Sequence, residues 1–356
     1  MSSLMRASLL GLGTAVPDRT MLQSDWIPIA DRIAPAGVDR AITERLARRS
    51  GIETRHCDTA DQPGTPTFYP GDPAGRGPTT LERMQRFARA ARPLAARAAA
   101  MALERSGTSP AQVTHVVTAS CTGFHAPGPD QWLIEDLSLP PTARRVHVGF
   151  MGCHAAVNTL AVAAALARSD PHARVLVCCA EICSVHLHYG ARLDRLIANT
   201  LFSDGAAAAI VGTQPGAPVL ETFDSVLMPD TRDEMAWTIG NHGFEMTLGA
   251  RVPEILQARV DPWVGSMLAR HNLRISEVGG WAIHPGGPRV IEAVLASMRL
   301  PEAAGAHSRD VLRRFGNMSS ATLLFILDQL ERDRVPRPWV GMAFGPGLAG
   351  ESLLVT

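Results

Sequence analysis

The chain has 356 residues, 34 basic and 34 acidic, and a formal net charge of zero. Every basic residue is Arg and none is Lys, which excludes Schiff-base, P-loop and pyridoxal-anchoring lysine chemistry. Neutrality argues against a nucleic-acid partner, the 46% hydrophobic content excludes a disordered chain, and no run approaches the roughly 18 apolar residues of a membrane span. At roughly 150 residues per domain, the length predicts two units, which we divide at 1–213 and 214–356. Six cysteines (57, 121, 153, 178, 179 and 183) are too sparse for a disulfide scaffold and predict free thiols in a reducing cytoplasm. The short apolar run Ala7–Val16 behind Arg6 carries glycines and ends at Pro17-Asp18, so it reads as a strand and turn, not a signal peptide. The glycosylation pattern Asn317-Met318-Ser319 is disregarded for the same reason.

In chain order, residues 6–13 predict a strand ending in a glycine turn, and 39–50 a helix. Residues 59–80, rich in Pro, Gly and Thr, predict a long loop. A long Ala/Arg helix follows over 81–106, with Pro93 starting or kinking its main part. The β-branched run 113–120 predicts a buried strand. The segment 154–168 is apolar nearly all round, which predicts a deeply buried helix. Buried strands follow at 174–180 and 206–212, and residues 213–218 form a linker. The second half predicts a strand at 280–283, helices at 288–298 and 318–331, and strands at 339–344 and 351–355.

The two halves echo each other. A strand ends at Ser120-Cys121-Thr122-Gly123, and a turn at Gly149–Cys153 opens a buried helix. A second strand ends at His284-Pro285-Gly286-Gly287, and Phe315-Gly316-Asn317 opens another apolar helix; Ser120 to His284 and Cys153 to Asn317 are both steps of 164. Phe202–Gly205 and Phe344–Gly347 form a third pair, offset by 142. Two halves alternating buried strands and helices predict a duplicated α/β architecture. Its strand ends would bring Cys153, His284, Asn317 and the Phe344–Gly347 turn to one junction.

Cys153 follows a glycine turn and precedes a helix, where free N–H groups and the positive helix end favour the thiolate. It reads as a nucleophile; the alternative is a small buried hydrophobe, the reading we give Cys178 and Cys179. His284 ends a strand beside a glycine loop and can reach a cleft, whereas the other eleven histidines show no comparable setting. Asn317 precedes a helix, where an N-cap is the plain alternative. Together the three supply a nucleophile, a base or donor, and a second donor for an oxyanion or enolate. Cys179, Cys183, His186 and His188 lack the paired spacing of a zinc site, and Gly11-Leu12-Gly13 fails the dinucleotide fingerprint. Arg45, Arg48, Arg49 and Arg55 read either as a solvated helix face or as a phosphate clamp for a nucleotide-bearing thioester.

Five ordered motifs then carry a resemblance: Gly149–Ala156, Leu201–Ala206, Ile283–Gly287, Phe315–Ser320 and Phe344–Gly347. From about residue 6 to the end, the chain resembles the type III polyketide synthases, the chalcone and stilbene synthase family. The resemblance implies a five-layered αβαβα thiolase-like fold of two pseudo-duplicated halves, a homodimer, and no metal or organic cofactor. It implies that Cys153 carries the starter and growing chain, that His284 supports the thiolate and the thioester oxyanion, and that Asn317 joins it in malonyl decarboxylation. Phe202 matches a gatekeeper between acyl cavity and CoA tunnel, Met246 stands where plant enzymes have a second gatekeeper Phe, and Gly345, Pro346 and Gly347 match the loop that shapes the cavity. Gly286 and Gly287 belong to the implied CoA side, with the arginines.

Ala126 replaces a Met that crosses the dimer interface in plant enzymes, and Thr122 and Cys183 are modest in size. This pattern is similar to bacterial alkylpyrone and alkylresorcinol synthases with a tunnel for long acyl chains, while Trp237 would narrow the cyclisation chamber. The substrates implied are malonyl-CoA and an acyl-CoA, with an acyl carrier protein as a possible donor of the starter. Rival readings are a single-condensation ketoacyl synthase III, whose His-Gln-Ala-Asn run is absent here, and a Cys-His-Asn hydrolase of the papain type.

Overall fold

The computed structural model describes residues 5–33, 39–59, 68–69 and 76–356. Most of the expected 59–80 loop therefore lies outside the described residues.

Two sheets repeat one topology. In the first, the strands run in the order Ser8–Ala15, Asp204–Gly212, Arg174–Ile182, His115–Ser120 and Arg144–Gly149. In the second, the order is Leu220–Leu227, Ala349–Val355, Trp339–Gly345 and Gly280–Ile283. Read in that direction, both begin with two antiparallel pairings followed by a parallel one. The first sheet adds one further parallel strand, Arg144–Gly149, at its edge.

The layers follow from where the apolar surface falls. Helix Ala321–Arg332 is buried on nearly every face, helix Ala155–Ser169 buries one broad face, and the two fill the middle layer between the sheets. Helix Thr80–Ser106 covers the outside of the first sheet with an alanine face. Helices Val252–Arg270 and Pro288–Met298 cover the outside of the second. Three apolar clusters thus join five layers, αβαβα, the middle cluster packing both faces of the central helix layer, and this is the expected fold.

Local chemistry sets the element ends. Thr79 and Glu82 form a reciprocal capping box on the long helix, and Gly107, at φ +65°, closes it in the left-handed region. Pro93 sits inside that helix without breaking it. The helix lies close on the first strand: a Cβ at Gly13 would come within 2.2 Å of the Ala98 carbonyl oxygen.

The structure departs from the expectation in identifiable places. The edge strand Arg144–Gly149 is largely exposed, so it lacks the apolar run that marks its neighbours. Helix Leu193–Leu201, helix Val252–Arg270 and the hairpin Met235–Gly240/Gly243–Leu248 were not expected. The helix expected over 318–331 begins only at Ala321; residues 317–320 instead form a turn with Ser319 at φ +50°. A further helix, Ala306–Phe315, precedes it.

Gly13→Ala is expected to lower the unfolding free energy by about 1–3 kcal/mol, the usual cost of overpacking a tight contact. Chemical denaturation of the two proteins checks this; equal midpoints and slopes would show that the helix yields freely.

Candidate active site

Cys153 stands on a single 3-10 turn, Gly152–His154, immediately before helix Ala155–Ser169. Gly152 is required twice over. Its φ of +81° disfavours any side chain, and a Cβ there would lie 2.2 Å from the Pro346 ring of the second half. The Cys121 thiol holds the same glycine from behind, accepting its N–H at 2.9 Å and lying 3.3 Å from its carbonyl oxygen.

His284 follows the strand Gly280–Ile283, its own N–H bonded to the Met342 carbonyl at 2.9 Å. The side chain is buried, yet neither ring nitrogen has a hydrogen-bond partner among the described residues. Two unsatisfied buried nitrogens are costly, and they leave the imidazole free for a ligand. Asn317 is not a helix cap. Its backbone forms a bridge with Phe202, with Asn317 N–H on the Leu201 carbonyl and Ser203 N–H on the Asn317 carbonyl. Its side-chain oxygen accepts the Ser319 N–H at 2.9 Å, which leaves the amide nitrogen as a donor toward the Cys153 thiol.

The three residues line the outer of two adjoining chambers, and Cys153 alone of them also lines the inner one. The outer chamber, about 540 Å³, is lined by Cys153, His284 and Asn317, with Arg49, Gly286 and Gly287 toward its mouth. The inner chamber, about 40 Å³, is lined by Cys153 with Thr122, Cys183, Trp237 and Pro346. Only Cys153, Phe202, Met235 and Met246 line both. Phe202 and Met246 therefore flank the nucleophile where the chambers join.

Burial pushes the Cys153 thiol up to about 12, and the Ser319 hydroxyl, 3.6 Å from Sγ, and the Asn317 amide pull it back. Burial likewise pushes His284 down to about 3. Burial thus raises the thiol, opposite in direction to the lowering expected from its place before a helix. Neither group ionises readily alone; a proton passed from thiol to imidazole creates two charges that stabilise each other in a dry site. His284 can then donate to a thioester oxygen, and Asn317 supplies the second donor for a developing enolate.

Several expected residues stand elsewhere. Arg55 is a correction: it is 1% exposed, donates to the Asn199 and Phe202 carbonyls at 2.9 Å each, and stacks over Trp26, so it braces the Phe202 segment from inside. Arg45 and Arg48 are exposed on helix Arg40–Arg49 and line neither chamber, and Arg48 lies 3.7 Å from Glu44. Ala126 is exposed and lines neither chamber. Gly345 and Gly347 shape the loop from behind: a Cβ on Gly345 would strike the His154 ring, and Gly347 has φ +115°.

The sequence reading missed Ser319, whose left-handed backbone brings its hydroxyl to the nucleophile; nothing in a Ser-Ser dipeptide signals that. It also missed two histidines, His186 and His188, in the wall of the inner chamber. His186 lines it with both nitrogens engaged, Nδ1 accepting the Phe244 N–H and Nε2 donating to the Thr122 carbonyl, so it has no lone pair for zinc. Trp237 is pinned by an indole N–H bond of 2.7 Å to the Cys121 carbonyl.

Residues 2–215 match the family described as chalcone and stilbene synthases, N-terminal domain, and residues 220–356 match its C-terminal domain. The chain belongs to the chalcone and stilbene synthase family. It is a type III polyketide synthase, an acyl-transferring condensing enzyme. It is 36% identical to an α-pyrone synthesis polyketide synthase-like protein of Mycobacterium tuberculosis, over 98% of this chain and 90% of that one. It is 30% identical to the 1,3,6,8-tetrahydroxynaphthalene synthase of Streptomyces peucetius, over 98% and 92%. Among solved structures, a polyketide synthase of the brown alga Ectocarpus siliculosus superposes with a TM-score of 0.94 at 27% identity, covering 99% of each chain. No helix among the described residues is long and apolar enough to cross a membrane.

His284→Gln removes the acceptor of the thiol proton and keeps a side chain of similar size. Alkylation of Cys153 by iodoacetamide at neutral pH is expected to slow by about tenfold or more, with its pH profile displaced upward, since one unit of thiol pKa is a factor of ten. An unchanged profile would show that the thiol ionises without His284.

Proposed function

We propose that the enzyme takes an acyl group from an acyl-CoA, with a long-chain acyl group as the starter, onto Cys153 and extends it with malonyl-CoA. The observation that carries this reading is the position of Cys153 between two chambers, beside an imidazole with two free nitrogens. The outer chamber receives each thioester in turn, with Arg49 and the exposed Arg289 beside its mouth to meet phosphates. Malonyl-CoA loses CO₂, and the enolate oxygen left on the acetyl thioester is held by His284 and the Asn317 amide. Its carbon attacks the Cys153 thioester and expels the thiolate, giving a β-ketoacyl-CoA. Transfer of that chain back to Cys153 releases CoA and opens the next round. Breaking the carbon–carboxylate bond supplies the carbanion, so the reading needs neither cofactor nor metal.

A short polyketide then closes to an alkylpyrone or, by aldol condensation, to an alkylresorcinol. The α-pyrone synthesis named for the mycobacterial relative favours the pyrone. Acylation must widen an inner chamber of only about 40 Å³. The thioethers of Met235 and Met246 are its yielding walls, whereas the pinned Trp237 limits the number of rounds. Thr122 and Cys183 flank the path of the alkyl chain. At about 0.8 kcal/mol per buried CH₂, such a path discriminates chain length strongly.

Two copies are proposed to pair through the exposed edge strand Arg144–Gly149, near which Phe124, Val146 and Met151 are exposed. Ala126 lies on the Phe124 loop. The arginines of helix Arg40–Arg49 also suit an acidic acyl carrier protein as donor of the starter. Six free buried thiols fit a reducing cytoplasm.

Product analysis by mass spectrometry, with labelled malonyl-CoA and straight-chain acyl-CoA starters from short to long, checks the reading. Alkylpyrones or resorcinols are expected from long starters and none from Cys153→Ala. Trp237→Ala is expected to shift products toward additional malonyl units. Thioester hydrolysis without malonyl consumption would overturn the synthase reading in favour of a hydrolase.

A further inference from the structure

The inner chamber contains a second imidazole whose chemistry the condensation steps do not use. His188 lies between the end of strand Arg174–Ile182 and helix Leu193–Leu201, is 8% exposed, and lines the inner chamber with Cys153. Its backbone is clamped by one side chain: its N–H donates to Asn199 Oδ1 at 3.0 Å, and its carbonyl accepts from Asn199 Nδ2 at 2.8 Å. Its ring is fixed by Nε2, 2.6 Å from the Phe244 carbonyl oxygen.

That contact decides the tautomer. A carbonyl can only accept, so the Nε2 atom carries the proton and Nδ1 carries the lone pair. Burial pushes the ring down to about 4, with Arg83 and Arg195 adding to the fall and the Phe244 carbonyl bond and Glu245 opposing it, so it stays neutral in ordinary working conditions. Nδ1 has no hydrogen-bond partner among the described residues, yet it is not one of the sealed, unsatisfied buried atoms.

The other polar groups of the chamber are committed. The Thr122 hydroxyl donates to Glu181 and accepts the Ile182 N–H, His186 uses both nitrogens, and the Trp237 N–H is on the Cys121 carbonyl. Ser319 faces the nucleophile. A growing β-polyketide enolises, and each enol presents an O–H donor that needs an acceptor in this apolar space.

Resting on the polyketide reading above, we propose that His188 is a catalytic residue of ring closure, accepting through Nδ1 the enol hydroxyl of the chain held on Cys153. The hydrogen bond aims the enol oxygen at the thioester carbonyl and takes up its proton as the new C–O bond forms. The tetrahedral intermediate collapses, the C–S bond breaks with its electron pair on sulfur, and the proton passes from His188 to the Cys153 thiolate. Enol and thioester thereby become lactone and thiol, with no other reactant.

Two variants separate this role from the tie to Phe244. His188→Gln can place an amide donor where Nε2 stands but offers no acceptor at the Nδ1 position. His188→Asn can place an acceptor near Nδ1 but cannot reach Phe244. Each is assayed for CoA release, the ratio of lactone to linear or hydrolysed polyketide, and melting temperature. The expected result for Gln is at least a fivefold fall in the lactone ratio with an unchanged melting temperature. For Asn it is a retained lactone ratio with a lowered melting temperature. A Gln variant that keeps its lactone ratio overturns the proposal, as does an Asn variant that loses lactone while Gln keeps it. Failure of the polyketide reading itself is separate: wild-type enzyme would then consume no malonyl-CoA at all.

Discussion

The site hangs on one buried carboxyl group. Glu181, at the end of strand Arg174–Ile182, is completely buried, and burial raises its pKa. It is hydrogen-bonded by the Ser120, Thr122 and Ser320 hydroxyls and by the Cys121 and Thr122 N–H groups. Those partners come from the end of a neighbouring strand and from the turn that opens the middle helix of the other half. A buried polar group so fully satisfied fixes geometry in a way that apolar packing cannot. From Glu181 the ties run outward: Cys121 holds Gly152, Gly152 sets the Cys153 turn, and Ser320 anchors the turn carrying Asn317 and Ser319. The two halves are thereby registered at the atom where chemistry occurs.

The duplicated architecture explains why this is economical. One half delivers the nucleophile and the other the imidazole and amide. The Phe202–Asn317 bridge and the contact of Gly152 with Pro346 are both contacts between halves. Neither half alone encloses a chamber, and the thiol and imidazole reach a dry environment only when the halves close on each other. That dryness raises one pKa and lowers the other.

Much of this was legible in the sequence because the relevant signals are local. Continuous apolar runs marked the central strands and the two middle helices, and glycines marked turns where a Cβ does not fit, as at Gly152. The repeated spacing pointed to Cys153, His284 and Asn317 at one junction, and the cavity shows all three lining it. What was not legible depends on who faces whom. Arg55 has the same charge as its surface neighbours, and only the fold reveals that it braces carbonyls beneath Trp26. His186 and His188 resembled a failed metal motif, yet long-range pairing with strand Gly243–Leu248 makes them walls of the inner chamber. The edge strand Arg144–Gly149 was not legible because its side chains are largely exposed, so it carries no apolar run.

The central claim is that Cys153, between the two chambers, carries both the starter and the extended chain. Intact-protein mass spectrometry of quenched reactions tests it most directly, with acyl-CoA alone and then with labelled malonyl-CoA added. The account predicts one acyl adduct, mapped by digestion to Cys153, that grows by labelled two-carbon units on the same residue; it is lost in Cys153→Ala and kept in Cys183→Ala. An adduct on another residue, or a starter adduct on Cys153 that never gains labelled units while free products accumulate, would contradict it.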